Sequence, residues 1–274
     1  MSKTLFISDL DGTLLNSRPA ISDVTAATLG RLIAEQGLLF SAATARTPAT
    51  AIPLTEAIGI QIPMVVMSGA ALWDNRNWRF ISHTHIPADE VARIIAIMKA
   101  AEVNPYVYHI ADNILQVQHA AELNTAEKRF IDQRSFSPLK HFSLGDVKAV
   151  DASLLFAIDS YDRMLLAYNW LRNEVDCEIV FSRDIYDPTM GNLEIFASGT
   201  SKASGVALLR SIVEADKVVA FGDNRNDIAM LQAADVAVVV ENGCDEAKAI
   251  ADHIIGSNDT DSVARWIADN YHTI

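Results

Sequence analysis

Hydrophobic residues in the first part of the chain form short continuous runs, separated by segments with helical periodicity. The apolar runs at 3–8, 38–44 and 63–67 predict strands that are buried on both faces. Apolar positions recur at helical spacing over 22–37, and Pro48 is well placed as the first residue of a second helix. This order of strand, helix, strand, helix and strand predicts a parallel sheet with right-handed crossovers.

The same alternation returns in the last third of the chain. Each apolar run there is short and is followed by a segment with helical periodicity, which is typical of an α/β fold. The predicted strands are 192–196, 217–221, 236–240 and 253–255, and the predicted helices are 202–212, 228–232, 245–251 and 262–270.

The middle of the chain has a different pattern, which begins after a hairpin predicted at 72–81. A unit of helix, strand and strand occurs there about twice, and this indicates a separate α+β domain. The sequence therefore predicts an α/β core formed by 1–82 and 190–274, with a domain inserted at 83–189. Within the insertion the predicted helices are 87–101, 121–133 and 162–173, and the predicted strands are 106–110, 114–118, 154–158 and 177–181, with a loop containing Pro138 and Gly145.

Carboxylates follow two of the buried strands. Asp9 and Asp11 end the first strand, and Asp223 and Asp227 come directly after the strand at 217–221. An isolated Asp-x-Asp-Gly is more often a turn former, but here the same construction appears twice. Ligands bind at the carboxyl ends of strands in open α/β sheets, and two acidic strand ends side by side would form a hard oxygen site suited to Mg²⁺.

Composition narrows the possible partners. The chain has 274 residues and a formal net charge of −13, which argues against binding of nucleic acid. It has no apolar run of transmembrane length, and the two cysteines show no metal-ligand spacing. The first strand begins near the N-terminus, so we expect no signal peptide. These features predict a soluble, cytoplasmic protein and leave its oligomeric state open.

Four strand ends or helix starts together carry the groups that phosphoryl transfer needs. Asp9 would act as the nucleophile, and Asp11 would protonate the leaving alcohol and then deprotonate the attacking water. Thr44 and Lys202 would hold the phosphoryl oxygens, and Asp223 would join Asp9 in binding Mg²⁺. Taken singly, Thr44 is equally typical of a helix N-cap, Lys202 of a surface lysine and Asp227 of a helix terminus.

These residues resemble, in order and spacing, the four motifs of the haloacid dehalogenase superfamily of phosphatases. The motifs are Asp-Leu-Asp-Gly-Thr-Leu at 9–14, Thr-Ala-Arg at 44–46, Lys202, and Gly-Asp-Asn-Arg-Asn-Asp at 222–227. The insertion is similar to the type 2 cap of the Cof-like (type IIB) branch. Ala45 stands where glycine is usual and Ser68 where asparagine is commoner, and neither change removes a group that the chemistry needs.

The resemblance implies a Rossmann-like core, an inserted cap domain, Mg²⁺ as cofactor, an aspartyl-phosphate intermediate and a small phosphorylated metabolite as substrate. It also implies that the backbone carbonyl of Asp11 binds the metal, beside Asp9, Asp223 and Asp227. The candidate substrate contacts lie in the same loops and strand ends: Leu10, Gly12, Ala45, Arg46, Ser68, Gly69, Asn192 and Asn226.

Two other functions remain open from the sequence. A phosphotransferase or phosphosugar mutase would use the same residues but would exclude water from the phosphorylated aspartate. A sensor on the same fold would bind the phosphorylated metabolite without turning it over, although every acidic and donor position needed for turnover is present.

Overall fold

The computed structural model describes residues 3–184 and 187–274, and these divide into two compact units. The two-segment unit combines the chain up to Ser82 with Ser201–Ile274, and the inserted unit is His83–Thr200. The strands are β1 (Thr4–Ser8), β2 (Leu39–Ala42), β3 (Met64–Val66), β4 (Ala71–Asp74), β5 (Arg79–His83), β6 (Tyr106–Ala111), β7 (Ile114–His119), β8 (Lys140–Leu144), β9 (Leu154–Ser160), β10 (Cys177–Arg183), β11 (Met190–Ala197), β12 (Lys217–Gly222), β13 (Val236–Val240) and β14 (His253–Ile255). The helices are α1 (Asp23–Gln36), α2 (Pro48–Thr55), α3 (Ala88–Ala100), α4 (Thr125–Asp132), α5 (Tyr161–Glu174), α6 (Lys202–Val213), α7 (Ile228–Ala233), α8 (Asp245–Lys248) and α9 (Ser262–Asn270).

The two-segment unit is built on a parallel sheet with the strand order β14-β13-β12-β1-β2. A parallel bridge between Ala43 and Val65 places β3 beyond β2. From β1 the chain proceeds outward through β2 to β3, and it later returns to the other side of β1 through β12. The strand order therefore reverses between β1 and β12, and ligands bind beside such a reversal, outside the carboxyl ends of the strands.

Helices cover both faces of this sheet because side chains alternate along each strand. Leu5 and Ile7 of β1 belong to a core cluster that includes residues of α6 and α7. Phe6, between them, points to the opposite face and lies 6.1 Å from the Tyr271 ring at the end of α9. The continuous apolar runs in the sequence are explained by burial of both faces.

The inserted unit has a sheet of its own, with the order β10-β11-β9-β6-β7-β8. All neighbouring pairs in this sheet are antiparallel except β7 and β8. One face packs against α3 and α5 in a core cluster that includes Ile94, Leu155 and Leu171. On the other face, Phe130 of α4 stacks on Phe156 of β9 at 4.7 Å between ring centroids. The structure thus confirms the predicted fold class, a parallel α/β core with an inserted α+β region.

The second boundary between the units differs from the sequence-based one. We expected residues from 190 onward to belong to the core, but β11 pairs with β9 and β10 in the sheet of the inserted unit. The division therefore falls after Thr200. The sequence of β11 has strand character that suits either sheet, and only its antiparallel register with β9 and β10 decides between them.

Two local predictions in the inserted unit also need correction. The region of Pro138 and Gly145, expected as a loop, contains β8, a short edge strand that pairs with β7. The helix predicted at 121–133 begins only at Thr125, because the Asn124 side chain accepts a hydrogen bond from the backbone N–H of Glu127 and caps it.

Candidate active site

Asp9 follows β1 directly, at the reversal of strand order. Its backbone N–H still donates to the Phe221 carbonyl of β12 at 2.9 Å, so the sheet positions it, and the residue is buried. A tight turn at 10–14 then leads the chain away, with Gly12 at a φ of 81°. A Cβ on Gly12 would lie 2.5 Å from Oδ2 of Asp223, so this turn can approach the second acidic strand end only with glycine.

The carboxylates of Asp9, Asp223 and Asp227 form a cluster in which one oxygen from each lies within 4.8 Å of the others. Asp223 follows β12, and its Oδ1 accepts a hydrogen bond of 2.8 Å from the Thr13 hydroxyl. Asp227 is fully buried, and its Oδ2 accepts from the backbone N–H groups of Asp223 and Asn224, both at 3.1 Å. Asp227 therefore stabilises the conformation of the loop after β12 in addition to supplying negative charge.

Lys202 brings one positive charge into this cluster from the first position of α6. Its ammonium donates to Oδ1 of Asp9 at 2.6 Å and to Oδ1 of Asp227 at 2.7 Å. The side chain is 1% exposed, so Lys202 is not a solvated surface lysine. A cation at a helix N-terminus is unfavourable with the helix dipole, and these two carboxylates explain why it is retained there.

Three carboxylates against one ammonium leave the cluster short of positive charge. Burial, with the neighbouring carboxylates, raises the pKa of Asp9 to about 7 although Lys202 opposes this shift. Burial also raises the pKa of Asp223 to about 6. The pKa of Lys202 is raised as well, because Asp9 and Asp227 more than offset the effect of its own burial. A clustered set of hard oxygen donors that lacks positive charge fits Mg²⁺.

Asp11 does not share this cluster through its side chain. The chain turns after Asp9, and the Asp11 carboxylate accepts two hydrogen bonds from Arg46, from Nε and Nη2, both at 2.6 Å. The Asp11 side chain is 51% exposed. On a continued strand, residues two apart would point to the same side of the sheet, but the turn at 10–14 ends the strand geometry before Asp11.

The loops after β2 and β3 are joined by backbone hydrogen bonds. Thr44 is buried, and its carbonyl accepts from the N–H of Ser68 at 3.0 Å. Thr44 is not a helix N-cap, since α2 begins at Pro48 after Thr47. Gly69 has a φ of 98°, and a Cβ there would lie 1.9 Å from the Ser201 carbonyl, so this loop packs directly on the start of α6.

The remaining candidates fall in different places. Ala45 and Arg46 lie in the loop after β2, Leu10 is the buried first residue of the turn at 10–14, and Asn226 is exposed in the short turn before α7. Asn192 lies on β11 of the inserted unit, where its Nδ2 donates to Asp184 at 3.3 Å. The two-segment unit thus brings together the candidates from all four motifs, and Asn192 belongs to the other unit.

A family model for haloacid dehalogenase-like hydrolases matches residues 6–267 of the chain. The chain belongs to this family. The match spans both segments of the two-segment unit and the whole inserted unit, and it confirms the resemblance seen in the motifs.

Two relatives of this haloacid dehalogenase-like hydrolase have nearly the same length. It is 27% identical over 272 residues to the 5-amino-6-(5-phospho-D-ribitylamino)uracil phosphatase YitU of Bacillus subtilis, covering 97% of each chain. It is 26% identical over 281 residues to the pyridoxal phosphate phosphatase YbhA of Escherichia coli, covering 97% of this chain and 98% of that one. A solved structure described as a sugar phosphatase of subclass IIB of the family has a TM-score of 0.74 at 20% identity over the full length of both chains, and it shows the shared fold.

Two residues of this hydrolase support the site but were not among the candidates. Thr13 donates to Asp223, and Nδ2 of Asn242 donates to the Gly12 carbonyl at 2.7 Å. Thr13 lies within the first motif, so the motif itself was a signal for it. Asn242 has no such signal, because nothing in the sequence shows that the turn after β13 reaches the turn at 10–14. In the part of the chain that the structure describes, no helix is long and apolar enough to cross a membrane.

Proposed function

We propose that this haloacid dehalogenase-like hydrolase is a Mg²⁺-dependent phosphatase that hydrolyses a small phosphorylated metabolite through an aspartyl-phosphate. The observation that carries the proposal is the buried cluster of Asp9, Asp223 and Asp227 with Lys202 at its centre. Family membership and the two phosphatases among its relatives support the reaction class.

Asp9 is the proposed nucleophile. An oxygen of its carboxylate attacks phosphorus, the bond between phosphorus and the ester oxygen breaks, and Asp11 gives a proton to the departing alcohol. Water then attacks the phosphorus of the aspartyl-phosphate and passes a proton to Asp11, the bond between phosphorus and the Asp9 oxygen breaks, and inorganic phosphate leaves with the Asp9 carboxylate restored. Lys202 holds Oδ1 of Asp9 at 2.6 Å, which leaves Oδ2 as the oxygen for attack.

Other groups of the same loops would bind the phosphoryl oxygens. The Thr44 hydroxyl and the Lys202 ammonium are the proposed donors, together with backbone N–H groups of the turn at 10–14 and of the loop at Ser68. Arg46 reaches Asp11 with two hydrogen bonds and so orients the proposed acid and base. Ala45, Gly69 and Asn226 complete the proposed contacts in this unit.

Asp9 and Asp223 would hold Mg²⁺, together with the Asp11 carbonyl and with support from Asp227. The ion would supply positive charge to the phosphoryl group and to the acidic cluster. The raised pKa values of Asp9 and Asp223 support this assignment, because burial and the neighbouring carboxylates disfavour their charged forms and a bound cation would offset that effect.

We further propose that the two-segment unit is the catalytic core and that the inserted unit is a cap that selects the substrate, with Asn192 as one of its contacts. The named substrates of the two relatives, a phosphorylated ribitylamino-uracil and pyridoxal phosphate, are small phosphate monoesters. A sugar phosphate or a similar metabolite is therefore the substrate class that we propose.

The test is phosphate release from a panel of phosphorylated metabolites, with Mg²⁺ and with EDTA. Wild type should release phosphate only with the metal, and Asp9→Asn should lose at least 1000-fold in rate, as expected on removal of a nucleophile. Asp23→Asn, an exposed residue of α1, is the matched control and should keep the wild-type rate. Release that persists in Asp9→Asn would exclude Asp9 as the nucleophile.

A further inference from the structure

The turn after β13, residues 241–244, forms hydrogen bonds with both the turn at 10–14 and the loop after β12. Nδ2 of Asn242 donates to the Gly12 carbonyl at 2.7 Å. Two residues later, the backbone N–H of Cys244 donates to the Asp223 carbonyl at 2.8 Å. One short turn therefore joins the two segments that carry the proposed metal ligands.

Gly243, between these two residues, lets the turn after β13 approach the loop after β12 closely. A Cβ at this buried glycine would lie 3.1 Å from the Asp223 carbonyl oxygen and 2.8 Å from Cγ1 of Val239. The turn after β13 thus packs directly on the loop after β12. It is a fixed point from which Asn242 can hold Gly12.

Gly12 needs such a restraint because a glycine does not select its own conformation. Its φ is 81° and its ψ is −8°, but a residue without a Cβ has access to negative φ values as well. The carbonyls of Asp11 and Gly12 belong to the peptide units on either side of Gly12, so a rotation at Gly12 changes the direction of one relative to the other. The hydrogen bond from Asn242 therefore restrains the Asp11 carbonyl, the proposed metal ligand, as well as the carbonyl that accepts it.

Asn258, which follows β14, orients the Asn242 amide. Its backbone N–H donates to Oδ1 of Asn242 at 2.9 Å, so Nδ2 is the amide atom that faces Gly12. Its own Nδ2 donates to the Leu15 carbonyl at 2.8 Å, and the Leu15 N–H closes the turn by donating to the Leu10 carbonyl at 2.8 Å. The two asparagines thus hold the turn at 10–14 at its middle and at its end.

We propose that Asn242 is a positioning residue of the Mg²⁺ site: it holds the turn at 10–14 against the loop after β12, so that the Asp11 carbonyl and the Asp223 carboxylate bind the same ion. Asn258 keeps the Asn242 amide in its donating orientation. This inference rests on the proposed function, and it assigns a role to two residues outside the four motifs. Asn242 acts through Gly12 and not as a metal ligand.

The test measures the dissociation constant of the full-length protein for Mg²⁺ by titration calorimetry, without substrate. Asn242→Ala should raise this constant at least tenfold, a change of about 1.4 kcal/mol, which is of the order expected for one hydrogen bond. Asn270→Ala is the matched control, since Nδ2 of Asn270 donates to the Trp266 carbonyl at 2.8 Å and this hydrogen bond joins neither acidic segment. It should change the constant less than twofold.

Asn242→Asp separates positioning from charge. The aspartate keeps an acceptor for the Asn258 N–H, removes the donor to Gly12 and adds a negative charge near the cation. Charge alone would strengthen Mg²⁺ binding, whereas loss of the hydrogen bond to Gly12 would weaken it. We expect binding at least fivefold weaker than in wild type. Urea unfolding in EDTA should show similar stability for Asn242→Ala and Asn270→Ala, so that a difference in Mg²⁺ binding does not reflect a loss of fold.

Three results would overturn the inference: Asn242→Ala binds Mg²⁺ as tightly as wild type, Asn270→Ala weakens binding to the same extent, or Asn242→Asp binds more tightly than wild type. In each of these cases the proposed function stands if wild type binds Mg²⁺ and Asp223→Asn does not. If wild type itself binds no Mg²⁺, the proposed metal site is wrong and the inference fails with it.

Discussion

Lys202 determines whether the acidic cluster can exist without a bound cation. It is the one ammonium among three carboxylates, and its hydrogen bonds to Asp9 and Asp227 are both short. A buried ion pair contributes little net free energy, but removal of one partner leaves the other charges uncompensated. The cluster is therefore sensitive to this side chain in a way that surface charges are not.

We expect Lys202→Met to lower the free energy of unfolding in EDTA by about 3 kcal/mol or more. Excess Mg²⁺ should restore part of this loss, because the added charge replaces the missing ammonium. Urea unfolding with and without Mg²⁺ measures both effects. Lys217→Met, at an exposed position in β12, should change little in either condition. Equal stability of Lys202→Met and wild type in EDTA would contradict this account of the cluster.

A comparison of Gly12 with Gly37 separates two reasons why a position requires glycine, a positive φ and a close contact at the Cβ position. At Gly12 both apply, since its φ is 81° and a Cβ would meet Asp223 at 2.5 Å. At Gly37, the C-cap of α1, φ is 69° and nothing lies within 4 Å of the Cβ position. Both substitutions with alanine should cost about 1 kcal/mol of stability through the backbone.

Only Gly12→Ala should also disturb the site, by displacing Asp223. We expect it to lower phosphate release about 100-fold, the effect of a displacement of about 1 Å in an active site. Gly37→Ala should keep the wild-type rate after normalisation for folded protein. The measurement is steady-state phosphate release at a temperature where both variants are folded, and an equal loss in the two would refute the contact with Asp223.

The site was predictable from sequence to the extent that strand ends determine it. Buried strands that end in Asp9 and Asp223 meet at one edge of a parallel sheet, and the sheet brings the two residues together. The pairing of Asp11 with Arg46 was not predictable, because it depends on how the turn at 10–14 directs one exposed side chain. The same is true of Asn242, whose contact with Gly12 joins residues far apart in sequence.

At the scale of elements, the sequence identified most strands of the inserted unit but not β8 or the membership of β11. β8 is an edge strand in which buried Lys140 and the exposed Ser143 give a weak pattern. β11 has a clear pattern, but that pattern does not show that the strand pairs with the preceding strand β10 and, farther upstream, with β9. Local periodicity reports burial, whereas sheet membership depends on long-range register.

Burial of the Lys140 ammonium in β8 lowers the stability of the folded protein by an amount that depends on pH. Its side chain is buried, and its ammonium lies 5.2 Å from the centre of the Phe142 ring. Burial, with a smaller effect from Arg134, lowers the pKa of Lys140 from 10.5 to about 8. This lower pKa means that Lys140 destabilises the folded protein by about 3 kcal/mol at pH values where Lys140 of the unfolded chain is protonated. Between these two pKa values the unfolded chain binds a proton that the folded protein does not, so stability rises with pH in that window.

Lys140→Met should therefore be more stable than wild type at pH 7.5, by at most about 3 kcal/mol. Most of this advantage should disappear by pH 10, where folded Lys140 is already neutral. Urea unfolding at the two pH values, with the exposed Lys148→Met as control, measures the difference. An advantage that is the same at both pH values would mean that packing, not charge, distinguishes the variant.

At the scale of the whole molecule, each unit has its own hydrophobic core. The cluster around Leu5 and Val239 lies in the two-segment unit, and the cluster around Ile94 and Leu193 lies in the inserted unit. The ends of the inserted unit also lie close together, since the hydroxyl oxygens of Thr84 and Thr200 are 3.2 Å apart. A segment with its own core and adjacent ends has the properties of an insertable domain.

We therefore expect the isolated segment 83–200 to fold by itself, with a single cooperative thermal transition by circular dichroism and dispersed amide signals by NMR. The matched control is the segment 83–189, which ends at the boundary predicted from sequence. It lacks β11, the strand that lies between β9 and β10, so β10 loses the neighbour that pairs with it among the described residues, and the face against α5 loses Leu193 and Ile195. This shorter segment should remain unfolded or aggregate. If both segments fold equally well, β11 is dispensable to the inserted unit; if neither folds, the unit depends on the rest of the chain for its stability.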